Sequence, residues 1–172
     1  MHLELADTAT DDWLSVRVIC VGDVPPHRPT PSAYGLLSRA GEPSLRIDVY
    51  CGADELVAFK ETALWSDHAV IGLGHRVYFV SVDGSRARGN DLGSYFGHLY
   101  PAPGSLLVAS AERVHRFNDS GRLVWKSEPV GLDGVLVHDA GPPIIRGEGE
   151  WDPPGGWRPF ALAADTGTLV EP

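Results

Sequence analysis

The chain reads as all-β, a stack of antiparallel β-hairpins, on three observations. An apolar residue sits seven positions before a turn glycine four times, at Leu45–Gly52, Val77–Gly84, Val114–Gly121 and Phe160–Gly167. Two of these segments align without gaps at a shift of 37, Val70-Ile71 on Leu107-Val108, Arg76-Val77 on Arg113-Val114 and Gly84 on Gly121. No segment of useful length carries a helical apolar stripe with caps. The 20 glycines and 14 prolines instead lie between apolar runs, where turns joining short strands need them. A length of 172 residues suits a single domain with one proper core.

In residues 1–24 the expected element is one strand. Leu14, Val16, Val18 and Cys20 alternate with Ser15, Arg17 and Ile19, a period of two that marks one inner face. Residues 25–43 read as a connector, because Pro25, Pro26, Pro29 and Pro31 forbid regular ladder pairing, with room for one helical turn in 32–40. Residues 44–172 read as hairpin repeats. Leu45, Ile47, Val49 and Cys51 share a face and turn at Gly52-Ala53-Asp54, and residues 55–65 return. Ala69–Leu73 and Val77–Val82 follow, closing on Asp83-Gly84, which predicts a type I′ hairpin turn with positive φ at both central positions. Leu106–Ala109 and Val114–Phe117 repeat the pattern and close on Ser120-Gly121. Arg122–Trp125, Val135–Val137, Ile144-Ile145 and Phe160–Ala163 supply the remaining strands. Val77-Tyr78-Phe79-Val80 is apolar on both faces, so layers must cover it on both sides. Blades of a propeller meet that condition, and a β-sandwich with a crowded centre is the alternative.

Arg76-Val77-Tyr78-Phe79-Val80 with Asp83-Gly84, and Phe160-Ala161-Leu162 with Thr166-Gly167, resemble the hairpins of quinoprotein-type (PQQ-like) β-propeller repeats. Gly121-Arg122-Leu123-Val124-Trp125 adds a glycine and a tryptophan four places later, which such repeats use to dock neighbouring blades. The resemblance covers residues 44–172. It departs from the family where Val80, Phe117 and Ala163 stand in place of an Asp four positions before the glycine. It implies a propeller-like stack, either a small four-bladed ring or an open partial propeller whose edges a homodimer would cover. It implies no quinone, since in that family the hairpins are only the scaffold of much larger enzymes.

Charge restricts the partners. With 23 acidic residues against 14 basic ones the net charge is −9, which repels phosphate backbones and disfavours nucleic acid. Residues 13–21 are interrupted by Ser15 and Arg17 and make neither a signal peptide nor a membrane span, so a cytoplasmic location is expected. Cys20 and Cys51 fall in strand-like runs and are expected as buried free thiols, their mutual distance open.

The third repeat interval is the irregular one. Ile144-Ile145 keeps the shift of 37 from Leu107-Val108, yet Phe160 lies 46 past Val114, so nine residues are inserted within 147–157. Insertions of this kind in repeat proteins map to loops on one face, often the binding face. Glu148, Glu150, Trp151, Asp152 and Trp157 are therefore the candidate binding residues. If the segment stays extended its three carboxylates share one side, and with two indoles they suit a sugar or a partner's Arg or Lys. The same residues also suit a turn whose tryptophans fold back beneath a solvated acidic rim. Trp13, Trp65 and Trp125 are expected to pack the core or the seams between units. Among seven histidines none shows zinc-site spacing, although His75 and His115 occupy near-equivalent repeat positions. No nucleophile elbow accompanies Asp133, His138 and Asp139.

The leading expectation is a non-catalytic interaction module displaying the 148–157 loop to a basic protein, an inhibitor or immunity factor against a cationic toxin being one concrete version. The competing one is a carbohydrate-active or metal-assisted hydrolase using that loop with Asp133 and His138. A structural subunit joining an assembly by a hairpin edge is a third. No catalytic residue, metal ligand or cofactor is assigned.

Overall fold

A computed structural model describes residues 1–27, 29–102 and 104–170, arranged as four sheets in a row. The first sheet holds β1 (His2–Ala6), β2 (Arg17–Gly22), β3 (Ala33–Arg39) and β4 (Glu42–Tyr50) in the order β1-β3-β4-β2. Here β2 runs parallel to β4, because the chain crosses from the inner edge to the outer edge before the β3–β4 hairpin forms. The second sheet is the meander β5 (Lys60–Trp65), β6 (His68–Leu73), β7 (Arg76–Ser81) and β8 (Ala87–Asp91). The third repeats it with β9 (Phe96–Ala102), β10 (Ser105–Ser110), β11 (Val114–Phe117) and β12 (Leu123–Lys126). The fourth has three strands, β13 (Val135–Asp139), β14 (Ile144–Glu150) and β15 (Trp157–Ala163), and an isolated bridge from Leu162 to Leu169. Among the described residues the 3-10 turn Asp11–Trp13 is the single helical element.

Each sheet is apolar where it meets its neighbour. Leu37, Ile47 and Val49 meet Ile71, Leu73 and Val80 at the first seam. Val70, Val77 and Phe79 meet Phe96, Leu106 and Phe117 at the second. Leu107, Val114 and Trp125 meet Val137, Ile145 and Leu162 at the third. The first strand of every sheet lies innermost, β1 beside β5, β5 beside β9 and β9 beside β13. Among the described residues no apolar cluster joins the fourth sheet to the first, so the stack is an open arc. The far side of the first sheet is covered, since Arg46 pairs with Asp48 at 2.8 Å and donates to the Trp13 carbonyl beneath the 3-10 turn. The far side of the fourth is not. It carries a cavity of about 900 Å³ lined by Ile144, Pro159, Ala161 and Leu169.

The 37-residue register is the spacing of the seams. Gly84, Gly121 and Gly167 all have φ near +70° (67°, 67° and 72°), and each turn presses on the preceding sheet. A Cβ at Gly84 would lie 3.0 Å from Leu45 of the first sheet. At Gly121 it would lie 2.6 Å from Phe79 of the second, and at Gly167 2.4 Å from Trp125 of the third. Val70-Ile71 and Leu107-Val108 accordingly fall in β6 and β10, and Ile144-Ile145 in β14, the second strands of successive sheets. The doubly apolar Val77–Val80 is buried throughout, between two seams.

Several expectations are corrected. Gly52 is not a member of the series, since it lacks a positive φ and sits against Asp23 and Glu55. The 32–40 stretch is strand β3, not a helical turn, because its apolar Ala33, Leu37 and neighbours pair with β4 across the Ala40-Gly41 turn. Asp83-Gly84 is not type I′. Only Gly84 has positive φ, and its N–H donates to the Ser81 carbonyl at 2.7 Å, so the loop is the longer kind with a left-handed glycine. Cys20 and Cys51 are free thiols but half-buried, not fully buried. Strands β1, β8 and β9 have no counterpart in the sequence reading; β8, Ala-Arg-Gly-Asn-Asp, has scarcely an apolar residue and is held by pairing with β7.

A candidate binding cleft between the third and fourth sheets

The 147–157 insertion does not stand away from the body as a loop. It lengthens the β14–β15 hairpin, with Glu148 opposite Pro159 and Glu150 opposite Trp157. The turn is drawn back onto the strand, because the Gly155 N–H donates to Glu150 Oε1 and the Trp151 N–H to the Gly156 carbonyl. Glu148 and Glu150 therefore keep the same register, but the strand ends at Glu150 and Asp152 is lost from the row. Asp152 is exposed in the turn, and Trp151 is half-buried with the Arg158 guanidinium 6.0 Å from its ring centre. Glu148 faces His138, Oε1 to Nε2 3.4 Å, outside the cleft described next.

Two of the five candidates, Glu150 and Trp157, do come together. They line a cleft of about 140 Å³ with Phe59, Tyr95, His98 and Asp133. Phe59 enters from the segment before β5, Tyr95 and His98 from the start of β9, and Asp133 from the loop before β13. Phe59 stands 6.2 Å from Tyr95 and 5.1 Å from His98, ring centre to ring centre, so the three make one wall. Trp157 is 39% exposed, and its ring edge lies against Gly134, where an added Cβ would approach within 3.0 Å.

The polar groups are held by their neighbours. The Tyr95 hydroxyl donates to the Asp133 carbonyl and, at 3.0 Å, to Asp133 Oδ1. Burial foremost, and then the adjoining Asp133, push the Tyr95 phenol up to about 12, so it stays a donor at neutral pH. Glu61 of β5 reaches across the seam, taking the Leu99 N–H at 2.8 Å and pairing with His98 Nδ1 at 2.5 Å, which fixes the imidazole against Phe59. The Asp133 N–H and the Leu132 N–H both point to the Glu150 carbonyl and join the two acidic positions. Aromatic faces beside carboxylates suit a cation with an apolar stem. The cleft is smaller than the roughly 300–1,000 Å³ of small-molecule sites and has room for one side chain.

Phe59, Tyr95 and His98 escaped the sequence reading. They belong to two segments in different sheets, the lead-in to β5 and the start of β9, and no periodic pattern links them. Asp133 and His138, paired in the hydrolase expectation, line separate cavities. His75 lies in the β6–β7 turn, whereas His115 is inside β11 and 2% exposed. Trp65 and Trp125 are buried in the second and third seams, as expected, and Trp13 is half-buried in the covering turn.

No protein-family model matches the chain, and no curated protein matches it. Solved structures do. BamB from Moraxella catarrhalis superposes with a TM-score of 0.55 at 14% identity, over 98% of this chain and 51% of BamB. The fold is of the β-propeller type. KlHsv2 with loop 6CD replaced by a Gly-Ser linker superposes with a TM-score of 0.51, also at 14% identity, over 81% of this chain and 44% of that one. The chain spans about half the length of these propeller-type structures. No helix among the described residues is long and apolar enough to cross a membrane.

Proposed function

We propose that this protein is a non-catalytic binding module that takes an Arg or Lys side chain of a basic protein partner into the cleft between its third and fourth sheets. One observation carries the reading. Phe59, Tyr95 and Trp157 wall a space that also holds Asp133 and Glu150, in a chain whose net charge is −9. A guanidinium or ammonium entering it would stack on the rings and meet both carboxylates away from bulk water. The long-range field of the acidic surface would draw a basic partner toward it. Of the 148–157 segment, Glu150 and Trp157 contact the guest, while Trp151 and Asp152 shape the turn that positions them. The sheets we read as blades of the quinoprotein type, on the glycine-to-tryptophan docking at Gly121 and Trp125. A reducing, cytoplasmic setting is supported by the free Cys20 and Cys51.

The test uses N-acetyl-arginine amide and an oligo-arginine peptide as probes, followed by tryptophan fluorescence with the Trp157→Phe variant as reference. We expect saturable quenching that Trp157→Phe abolishes. Glu150→Gln with Asp133→Asn should weaken binding roughly tenfold or more. The amide that replaces the Asp133 carboxylate can still accept from Tyr95, so the scaffold stays intact. Affinity should fall steeply as salt is raised. Binding indifferent to both substitutions, or to salt, overturns the proposal.

A further inference from the structure

The outer rim of the second seam gathers more basic than acidic side chains, in a chain whose net charge is −9. A cavity of about 600 Å³ opens there, and Arg86, Arg88 and Arg122 line it. Register explains the convergence. Arg88 on β8 pairs directly opposite Phe79 on β7, and Arg86 lies two residues earlier, on the same side of the strand. Gly121 of the third sheet rests on the Phe79 ring, which carries Arg122, the next residue, to the same place. Three guanidiniums from two sheets thus face one space.

These arginines have no ion-pair partner among the described residues, although the chain has nine more acidic than basic side chains. Arg17, Arg39, Arg113 and Arg116, by contrast, all spend a guanidinium N–H on a backbone carbonyl. Asp67 and Asp119 also line the cavity, so three positive groups face two negative ones. The hydroxyls are already committed, Ser85 and Ser81 to Asp83 and Ser120 to Asn118. His68, at the base, is different, because its Nδ1 is buried without a hydrogen-bond partner. Its ring is held edge-on to Phe79, centres 6.0 Å apart. Unspent planar donors converging on one space, above a ring packed into the floor, are a set that a tetrahedral oxyanion completes, since guanidinium pairs bidentately with phosphate oxygens.

We propose that this cavity is a phosphate-binding site, taking the phosphate group of a small phosphate monoester between Arg86, Arg88 and Arg122, with His68 beneath it. The space exceeds what the ion alone fills, so the organic part of the ester lies along the rim between β8 and the β11–β12 turn. The ligand is an anion and the site lies on another seam from the cationic cleft, so the two readings stand or fall separately.

The experiment titrates inorganic phosphate and, separately, O-phosphoserine into the intact protein at constant ionic strength. The readouts are the arginine Nε–Hε NMR signals and the phosphorus linewidth. Saturable shifts confined to Arg86, Arg88 and Arg122 are expected, with the monoester tighter than free phosphate. Arg88→Gln with Arg122→Gln should weaken binding by about tenfold or more, while Arg158→Gln, on the fourth sheet, should leave it unchanged. These are exposed positions, and unchanged thermal unfolding confirms an intact fold. Phosphate binding tighter than the monoester's restricts the site to the free ion and overturns the ester assignment. Shifts that are unsaturable, spread over all arginines, or equal in the double variant overturn the site altogether.

Discussion

A methyl group at Gly121 would have to occupy space already held by the Phe79 ring, and it would do so on a residue at φ 67°. Both effects oppose Gly121→Ala. The left-handed backbone costs roughly 1–2 kcal/mol, and overpacking against an immobile ring adds about 1–3 kcal/mol. Gly41→Ala is the control, with φ 89° and no atom within 4 Å of the added carbon, so it should show only the backbone part. Urea unfolding of the two variants separates the contributions. His115 offers a second single-residue test. It is buried at the second seam, on the face of β11 that carries Phe117, and desolvation first, with Lys126 and Arg113 assisting, lowers its pKa from 6.5 to about 4. The folded state therefore binds its proton less readily than the unfolded chain. The stability this neutral imidazole leaves intact above pH 6.5 is lost as pH falls toward 4, by on the order of 3 kcal/mol. Comparing wild type with His115→Gln by denaturant unfolding at pH 7.5, 5.5 and 4.5 isolates that loss, and parallel pH profiles would count against it.

Strands in this fold are held less by their own propensity than by what docks on their turns. Trp125 of β12 shows how. It is 8% exposed, covers Gly167 and donates its indole N–H to the Ala164 carbonyl at 3.1 Å, while Arg116 Nη1 reaches the same oxygen. At the first seam Arg17 and Arg39 do the equivalent to the Asp83 and Val82 carbonyls. Trp125→Ala should cost about 3–5 kcal/mol and should loosen the fourth sheet first. Amide exchange in β13–β15 should then accelerate before exchange in β3 and β4, and uniform acceleration across all sheets would contradict local docking.

The molecule as a whole is an arc with three sealed seams, a covered first sheet and an unsealed fourth. It also has an apolar edge, since the outer strand β12 exposes Leu123 (46%) and Val124 (51%) beside unpaired backbone groups. Such an edge recruits another strand unless it is blocked. On that ground we keep the proposal of a homodimer through strand edges. Sedimentation over a hundredfold range of concentration should show a mass rising toward two chains, and Val124→Lys should suppress it. A constant monomer mass would remove the proposal.

Each seam sets an apolar strand residue seven positions before a turn that must press on its neighbour and admits only glycine, so the pattern Val77–Gly84, Val114–Gly121 and Phe160–Gly167 was readable from residue order alone. So were the burial of Val77–Val80, the docking role of Trp125 and the position of the insertion, because local backbone demands and two-faced burial leave marks along the chain. The Leu45–Gly52 match misled, since the same spacing arises without a seam. The parallel β2 was settled by β4, a partner remote in sequence, and the strand β3 behind its proline run and the polar β8 by hairpin pairing with β4 and β7, and such backbone pairing needs no particular side chains. The cleft followed the same logic. Glu150 and Trp157 stood out within one insertion, but Phe59, Tyr95 and His98 joined them only when three sheets met, and convergence across seams writes no period into the chain.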